Sequence, residues 1–326
     1  MKKTLLPILI ISAGSIGKRH LENLTALGYS SLTVVEPDTQ KINALSHKPK
    51  AVYTDVKKAI DATQPYAVFV CSPTSLHIPH ALCAVQRGAH VFIEKPLSHS
   101  LLGIKKLEEL SQKNNVTVMV ACNFRFNRGW EKLYDIITQK KYGEPLWAAS
   151  LGGYYLPTAR KNTVYKNIYA AQKQGGGVIL DSGVHVLDYL RGLFGEIKTT
   201  SGIQSTLHPL GIASEEIAHI LVRHTNGVTC AISMDYVSKK PFHEVQIITT
   251  DGRLCWDVRN DTITFENEKK QSVIYRGARD INRMYVDELK HFFNAAQTKT
   301  QPLQTIEEAR VILKLLLDAK RKASVL

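Results

Sequence analysis

Three observations predict an α/β chain of two domains, a doubly wound parallel sheet followed by a mostly antiparallel open sheet. Short apolar runs alternate with helical patterns as far as about residue 122. A glycine turn, Ser12–Gly17, joins the first run to the first helix. Beyond residue 122 the apolar runs lengthen and carry turn signals such as Thr225-Asn226-Gly227 and Asp251-Gly252. A length of 326 residues suits roughly two domains, and the change of pattern places them at 1–122 and 123–326.

The elements follow in order. Residues 8–12 read as a strand and 16–27 as a helix. Residues 32–35 and 66–71 are further strands. A helix over 77–87 ends at Gly88, a strand covers 90–93, a helix 101–114 and a strand 116–121. Strands that alternate with helices imply right-handed crossovers and a parallel sheet. In the second domain a continuous helix is expected over 178–193, with strands over 216–223, 228–237, 244–250 and 262–265. Helical periodicity resumes near Met284. This is an α+β pattern.

Composition removes several function classes. Apolar residues make up 44% and charged residues 22%, so the chain can bury enough surface to fold. Collagen-like and coiled-coil readings fail for want of a Gly repeat or a long heptad run. The five cysteines, Cys71, Cys83, Cys122, Cys230 and Cys255, are odd in number and show no CxxC pair. That favours a reduced, cytoplasmic protein and disfavours a cysteine-bound zinc. Met1-Lys2-Lys3 and the apolar run after it imitate an export signal, but Pro7 interrupts the run and the glycine turn follows at once. No run of about 18 apolar residues exists, so no membrane span is expected.

The net charge is +13, from 42 Lys and Arg against 29 Asp and Glu. Most of these cations are scattered. The densest basic and aromatic stretch, residues 160–173, carries no recognisable nucleic-acid motif. Nucleic acid is therefore not expected as a partner, and an anionic small molecule suits the charge better.

The turn Ser12-Ala13-Gly14-Ser15-Ile16-Gly17 has the position of a dinucleotide-binding loop, where amides at a helix N-terminus meet a pyrophosphate. Gly14 permits close backbone approach and Gly17 close helix packing. Ser12 stands where the first glycine is usual. Glu36 ends the second strand, about twenty residues after the turn, where a carboxylate meets the adenosine ribose and repels a 2′-phosphate. NAD is thus expected, in preference to NADP.

Cys71-Ser72-Pro73-Thr74-Ser75-Leu76-His77 and Ala89-His90-Val91-Phe92-Ile93-Glu94-Lys95-Pro96-Leu97 follow at strand ends. Together with the glycine turn and His20 they resemble the Gfo/Idh/MocA oxidoreductases, the glucose–fructose oxidoreductase and inositol dehydrogenase type. Val120-Ala121-Cys122-Asn123-Phe124-Arg125-Phe126 is similar to that family's exit from the nucleotide domain. Residues 175–185, Gly-Gly-Gly-Val-Ile-Leu-Asp-Ser-Gly-Val-His, resemble its second catalytic motif. The resemblance implies an N-terminal Rossmann domain and a C-terminal domain whose open sheet forms a homo-oligomer, with the active site between them. It implies cofactor contacts from Ser12, Gly14, Ser15, Ile16, Gly17, Glu36, Ser72, Pro73, His77 and Glu94. Lys95, Asp181 and His185 take the catalytic positions.

Chemistry supports those residue types. Oxidation of a secondary alcohol leaves a hydroxyl proton for a base, and an imidazole titrates near neutrality, which suits His185. Lys95, at a strand end, can hydrogen-bond the substrate oxygen. Asp181, one helical turn before His185, would orient the substrate or the imidazole, and Asp188 extends the same face. Asp and His can also hold a metal, but hydride transfer needs none, and none is expected. Arg125, Tyr154, Arg160 and Tyr165 are candidates for binding the substrate, with 153–157 as a loop over the site. The expected substrate is a sugar, polyol or nucleotide-linked sugar. Two alternative readings are an NAD-retaining enzyme that cleaves glycosides and a non-enzymatic, dinucleotide-binding regulator, against which the presence of Lys95 and His185 argues.

Overall fold

The computed structural model describes residues 5–159, 164–173, 175–205, 207–278, 280–322 and 324–325. The chain divides into two compact units, Met1–Ala121 with Tyr285–Val311, and Cys122–Met284 with Ile312–Leu326. Residues 285–311 thus cluster with the nucleotide-domain segment, whereas the sequence pattern grouped them with 123–326.

The first unit runs β1 Ile8–Ile11, α1 Ser15–Ala26, β2 Leu32–Val35, α2 Thr39–Asn43, β3 Ala51–Tyr53, α3 Val56–Thr63 and β4 Ala67–Val70. It continues with α4 His77–Val85, β5 His90–Ile93, α5 Ile104–Lys113 and β6 Val118–Val120. The six strands form one parallel sheet in the order β3-β2-β1-β4-β5-β6. Ile8 aligns with Leu32 on one side and Ala67 on the other. The central strands β1, β2 and β4 are buried along their whole length, as expected where both faces of a parallel sheet are covered. Phe69 and Phe92 stack at 5.1 Å between ring centres, and Phe292 meets both edge-on at 5.7 and 5.6 Å. Phe292 comes from α10, Ile281–Thr298.

The second unit opens with α6 Arg128–Thr138, β7 Pro145–Gly153, α7 Leu156–Ala159, α8 Val178–Asp181 and α9 Gly183–Phe194. The helix expected over 178–193 is therefore interrupted at Ser182, which lies between α8 and α9. Next come β8 Ile197–Gln204, β9 Ile217–His224, β10 Thr229–Asp235, β11 Phe242–Thr249, β12 Gly252–Asp257, β13 Thr262–Glu266 and β14 Gln271–Arg276. Helix α11, Ile306–Lys322, and β15, Ser324–Val325, close the chain. The nine strands are ordered β14-β13-β12-β11-β7-β10-β9-β8-β15. Among the described residues, β7 with β10 and β8 with β15 pair in parallel; the other six neighbouring pairs are antiparallel, including β10 with β9 and β11 with β7.

Burial in this sheet alternates. In β9, Ala218, Ile220 and Val222 are buried while His219, Leu221 and Arg223 are exposed. One face is therefore core. The other leaves Leu221 65%, Trp147 44% and Leu151 37% exposed. Among the described residues, no helix is long and apolar enough to cross a membrane.

Candidate active site

In the first unit, three loops leave the carboxyl ends of neighbouring parallel strands. They are Ser12–Gly14 after β1, Ser72–Thr74 after β4 and Glu94–Pro96 after β5. Open α/β sheets bind ligands along such an edge. Ser12 has φ +80°, a left-handed conformation that costs a side-chain-bearing residue about 1 to 2 kcal/mol and explains why glycine is usual there. A Cβ on Gly17 would collide with the Ser12 carbonyl oxygen, so only glycine lets α1 pack on the turn. Gly14 precedes α1 with no side-chain cap, and the nearest atom to a Cβ built on it is 3.9 Å away. Uncapped amides behind an open glycine, with Ser15 and Ile16 in the first helical turn, fit a pyrophosphate.

Glu36 is buried at the end of β2. Its Oε2 accepts the Ala13 N–H at 2.9 Å and the Ser12 hydroxyl at 3.2 Å, and Lys41 Nζ lies 3.4 Å from Oε1. The carboxylate therefore stands beside the glycine turn. His77 joins two of the loops, its Nε2 lying 2.8 Å from the Ser72 carbonyl oxygen and its Nδ1 2.9 Å from that of Pro96. The Ser72 hydroxyl faces His80 Nδ1 at 2.9 Å, while Pro73 is exposed. Glu94 is buried, with Oε1 2.6 Å from His20 Nε2. Burial raises its pKa, but the hydrogen bond and charge of His20, with the charges of Lys95 and His77, outweigh this and hold the carboxyl below its ordinary range. Lys95 itself is half-buried.

In the second unit, three tyrosines from three segments converge on one carboxylate. Tyr154 donates to Asp181 Oδ2 at 2.9 Å and Tyr236 to the same oxygen at 3.2 Å, while the Tyr169 hydroxyl donates to Oδ1. Burial and the charge of Asp181 push the Tyr154 and Tyr236 hydroxyls far above the phenol range, so they remain donors. The loop that launches α8 needs a glycine at 177. Its φ is +95°, and a Cβ would strike the Glu215 carboxylate, which Lys320 Nζ pairs at 2.7 Å. His185 lies near the start of α9 with its ring 4.9 Å from that of Phe124.

The remaining candidates meet other partners within the fold. Asp188 does not extend an Asp181/His185 ligand face. It is fully buried against Arg125, whose Nε and Nη2 donate to it at 2.9 and 2.8 Å, and Cys122 Sγ lies 2.7 Å from its Oδ2. Arg125 is thus an ion-pair partner. The Tyr165 hydroxyl donates to the Leu210 carbonyl at 3.0 Å. Arg160 lies outside the described residues. Sequence reasoning missed Tyr236 and Tyr169 as neighbours of Asp181. Strand parity offered a signal for Tyr236, which shares the buried face with Ile232 and Met234; a buried tyrosine hydroxyl requires a partner.

Two sequence profiles of one family match this chain. "Oxidoreductase family, NAD-binding Rossmann fold" matches residues 6–122, and "GFO/IDH/MocA C-terminal domain" matches residues 130–255. The chain belongs to the Gfo/Idh/MocA oxidoreductases. A similar member is the myo-inositol 2-dehydrogenase of Thermotoga maritima, 25% identical over 325 residues, 96% of this chain and 94% of that protein. An oxidoreductase from Agrobacterium radiobacter, solved with NAD+, L-tartaric acid and magnesium, superimposes with a TM-score of 0.84 at 16% identity. That match covers 98% of this chain and 96% of the other. A levoglucosan dehydrogenase solved with NADH and levoglucosan gives 0.85 at 17% identity, covering 98% and 97%. The two structural likenesses establish that this Gfo/Idh/MocA chain has the family's fold.

Proposed function

We propose that this chain is an NAD-dependent oxidoreductase acting between nicotinamide and a secondary hydroxyl, or the matching ketone, of a sugar, polyol or nucleotide-linked sugar. The observation that carries the reading is the sheet edge of the first unit. There the uncapped start of α1, the Ser72 loop and Lys95 follow three adjacent parallel strands. The inositol and levoglucosan dehydrogenases among its relatives support the substrate class.

NAD, when bound, supplies the hydride acceptor. Ser12 to Gly17 hold the pyrophosphate with backbone amides. The carboxylate of Glu36 suits a ribose diol and repels a 2′-phosphate, which favours NAD over NADP. Lys95 Nζ donates a hydrogen bond to the substrate oxygen and stabilises the negative charge that grows there as its proton leaves. The imidazole of His185 accepts that proton. Asp181, fixed by Tyr154, Tyr169 and Tyr236, orients the substrate or His185. An anionic, phosphate-bearing sugar matches the net charge of +13. The five free thiols suit the cytoplasm. The apolar open face of the nine-stranded sheet, centred on Leu221, Ala231 and Leu151, suits a second copy of the chain.

The test follows nicotinamide absorbance with wild type and Lys95→Ala, using NAD and NADP against polyols, sugars, sugar acids and UDP-sugars. Reduction of NAD by wild type, lost in the variant while NAD binding is retained, is the expected outcome. Near-normal turnover by Lys95→Ala would overturn the assignment of Lys95. A wild type that used only NADP would overturn the role given to Glu36.

A further inference from the structure

We propose that Ser12 sets the affinity for the dinucleotide: its hydroxyl holds the place of a ribose hydroxyl on Glu36, and the cofactor must displace it. The proposal rests on the reading of Glu36 as the acceptor of the adenosine ribose and adds the residue that competes for it.

Fixed backbone aims both side chains. The Ser12 N–H donates to the Val35 carbonyl at 2.8 Å, and α1 packs so closely on the turn that a Cβ on Gly17 would strike the Ser12 carbonyl oxygen. The Glu36 N–H donates to the Tyr53 carbonyl of β3 at 2.9 Å. With its φ held at +80°, Ser12 directs its hydroxyl to a point 3.2 Å from Glu36 Oε2. A glycine at this position would place no side chain there.

The Glu36 carboxylate is already fully occupied. A carboxylate offers about four acceptor positions. Oε2 takes the Ala13 N–H at 2.9 Å and the Ser12 hydroxyl at 3.2 Å. Oε1 takes the Asp38 N–H at 3.2 Å and lies 3.4 Å from Lys41 Nζ. The Glu36 side chain is 3% exposed. Ribose hydroxyls therefore cannot simply be added; they must replace donors already present. The amides of Ala13, in the turn after β1, and of Asp38, the N-cap of α2, cannot leave without moving the backbone. The other two donors can leave. A hydroxyl hydrogen bond ordinarily spans about 2.5 to 3.0 Å, so the Ser12 contact is a long one. Ser12 is only half-buried, and rotation about χ1 carries its hydroxyl away. Lys41 is 48% exposed, and its ammonium regains water as it withdraws. One displaceable donor thus sits on each carboxylate oxygen, as a vicinal diol requires.

Competition follows. In wild type the ribose exchanges one hydroxyl for another on Oε2, and the exchange returns little. Without the Ser12 hydroxyl, Oε2 in the free chain lacks a donor that the ribose then supplies. Serine in the place of the first glycine thereby weakens NAD binding.

Ser12→Ala removes the hydroxyl and keeps the Cβ and its left-handed backbone. Isothermal titration calorimetry should show NAD binding about three- to tenfold tighter than in wild type. An NAD analogue whose adenosine ribose lacks both hydroxyls should bind the variant and wild type equally. Unchanged or weaker NAD binding in Ser12→Ala would overturn the proposal. So would an equal gain for the analogue, which would place the effect in the loop and not on the ribose. Should Ser12→Ala fail to fold, Ser12→Gly carries the same expectation and the same refutation. Glu36→Gln tests the underlying reading and should lose about tenfold or more in NAD affinity. A wild type that binds no NAD, or a Glu36→Gln that binds it as wild type does, overturns the ribose reading and the proposal with it. Loss in Glu36→Gln without gain in Ser12→Ala overturns the proposal alone.

Discussion

Arg125→Met distinguishes an ion-pair partner from a substrate ligand. The carboxylate of Asp188 is fully buried, and Arg125 meets it with two N–H groups at 2.9 and 2.8 Å while its own side chain is 15% exposed. Methionine keeps the apolar stem and removes the charge, leaving Asp188 as a buried anion beside Cys122. Breaking a buried pair in this way costs about 3 to 5 kcal/mol. Unfolding entropy is about 2.1 cal/mol/K per residue, so over 326 residues that loss lowers Tm by about 4 to 7 °C. Replacing both partners, as Arg125→Met with Asp188→Leu, removes the stranded charge and should recover most of the loss. Differential scanning fluorimetry on wild type, the single and the double variant measures all three. An unchanged Tm in Arg125→Met, with KM for substrate raised, would refute the reasoning and restore Arg125 to the substrate. A double variant no more stable than the single would refute the charge argument while leaving Arg125 structural.

Two further outcomes follow from burial. His243, with Nε2 3.1 Å from the Tyr189 hydroxyl, is lowered to about 4 by burial and then by the charge of Arg259. The unfolded chain therefore binds a proton below about pH 6.5 that the folded chain refuses until about pH 4. Stability is lost over that window as pH falls, by about 2 kcal/mol at pH 5 from this group alone. His243→Gln should lose about that much less between pH 7.5 and pH 5 in urea titrations, and equal losses would refute the assignment. On the open sheet face, Ala231 lies between Leu221 of β9 and Ala149 of β7. Ala231→Glu should shift sedimentation toward a smaller species at unchanged Tm, and an unaltered sedimentation profile would place any self-association elsewhere.

How far the fold could be read in the sequence follows burial. Strands β1, β4 and β5 lie inside a parallel sheet, so Ile8–Ile11, Ala67–Val70 and His90–Ile93 stand out as apolar runs. Strand β3, only Ala51–Tyr53 and partly exposed at the sheet edge, produced no such run, and α2 buries none of its residues. Both were missed for lack of an apolar pattern. Strand β7 was hidden differently. It begins at Pro145, and its small residues Ala148, Ala149, Gly152 and Gly153 carry little β signal although the strand sits at the centre of its sheet. The division at Ser182 was illegible because its own φ and ψ, −94° and −39°, remain helical.

The candidate site divides along another line. Residues set by backbone geometry were legible, because a turn at Ser12–Gly17 and a strand end at Lys95 follow from local order in the chain. Long side chains were not, because their role depends on which partner claims them. Arg125 and Tyr165 have the chemistry of sugar ligands, yet Asp188 and the Leu210 carbonyl hold them. In both cases a protein group nearly free of water bonds the side chain that sequence reasoning offered to a ligand. A buried donor or acceptor left unmet costs about 1 to 3 kcal/mol, more when charged, so the fold satisfies such groups from within wherever it can. A polar side chain near a motif is therefore better evidence for a ligand when its neighbours in the fold offer it no buried partner.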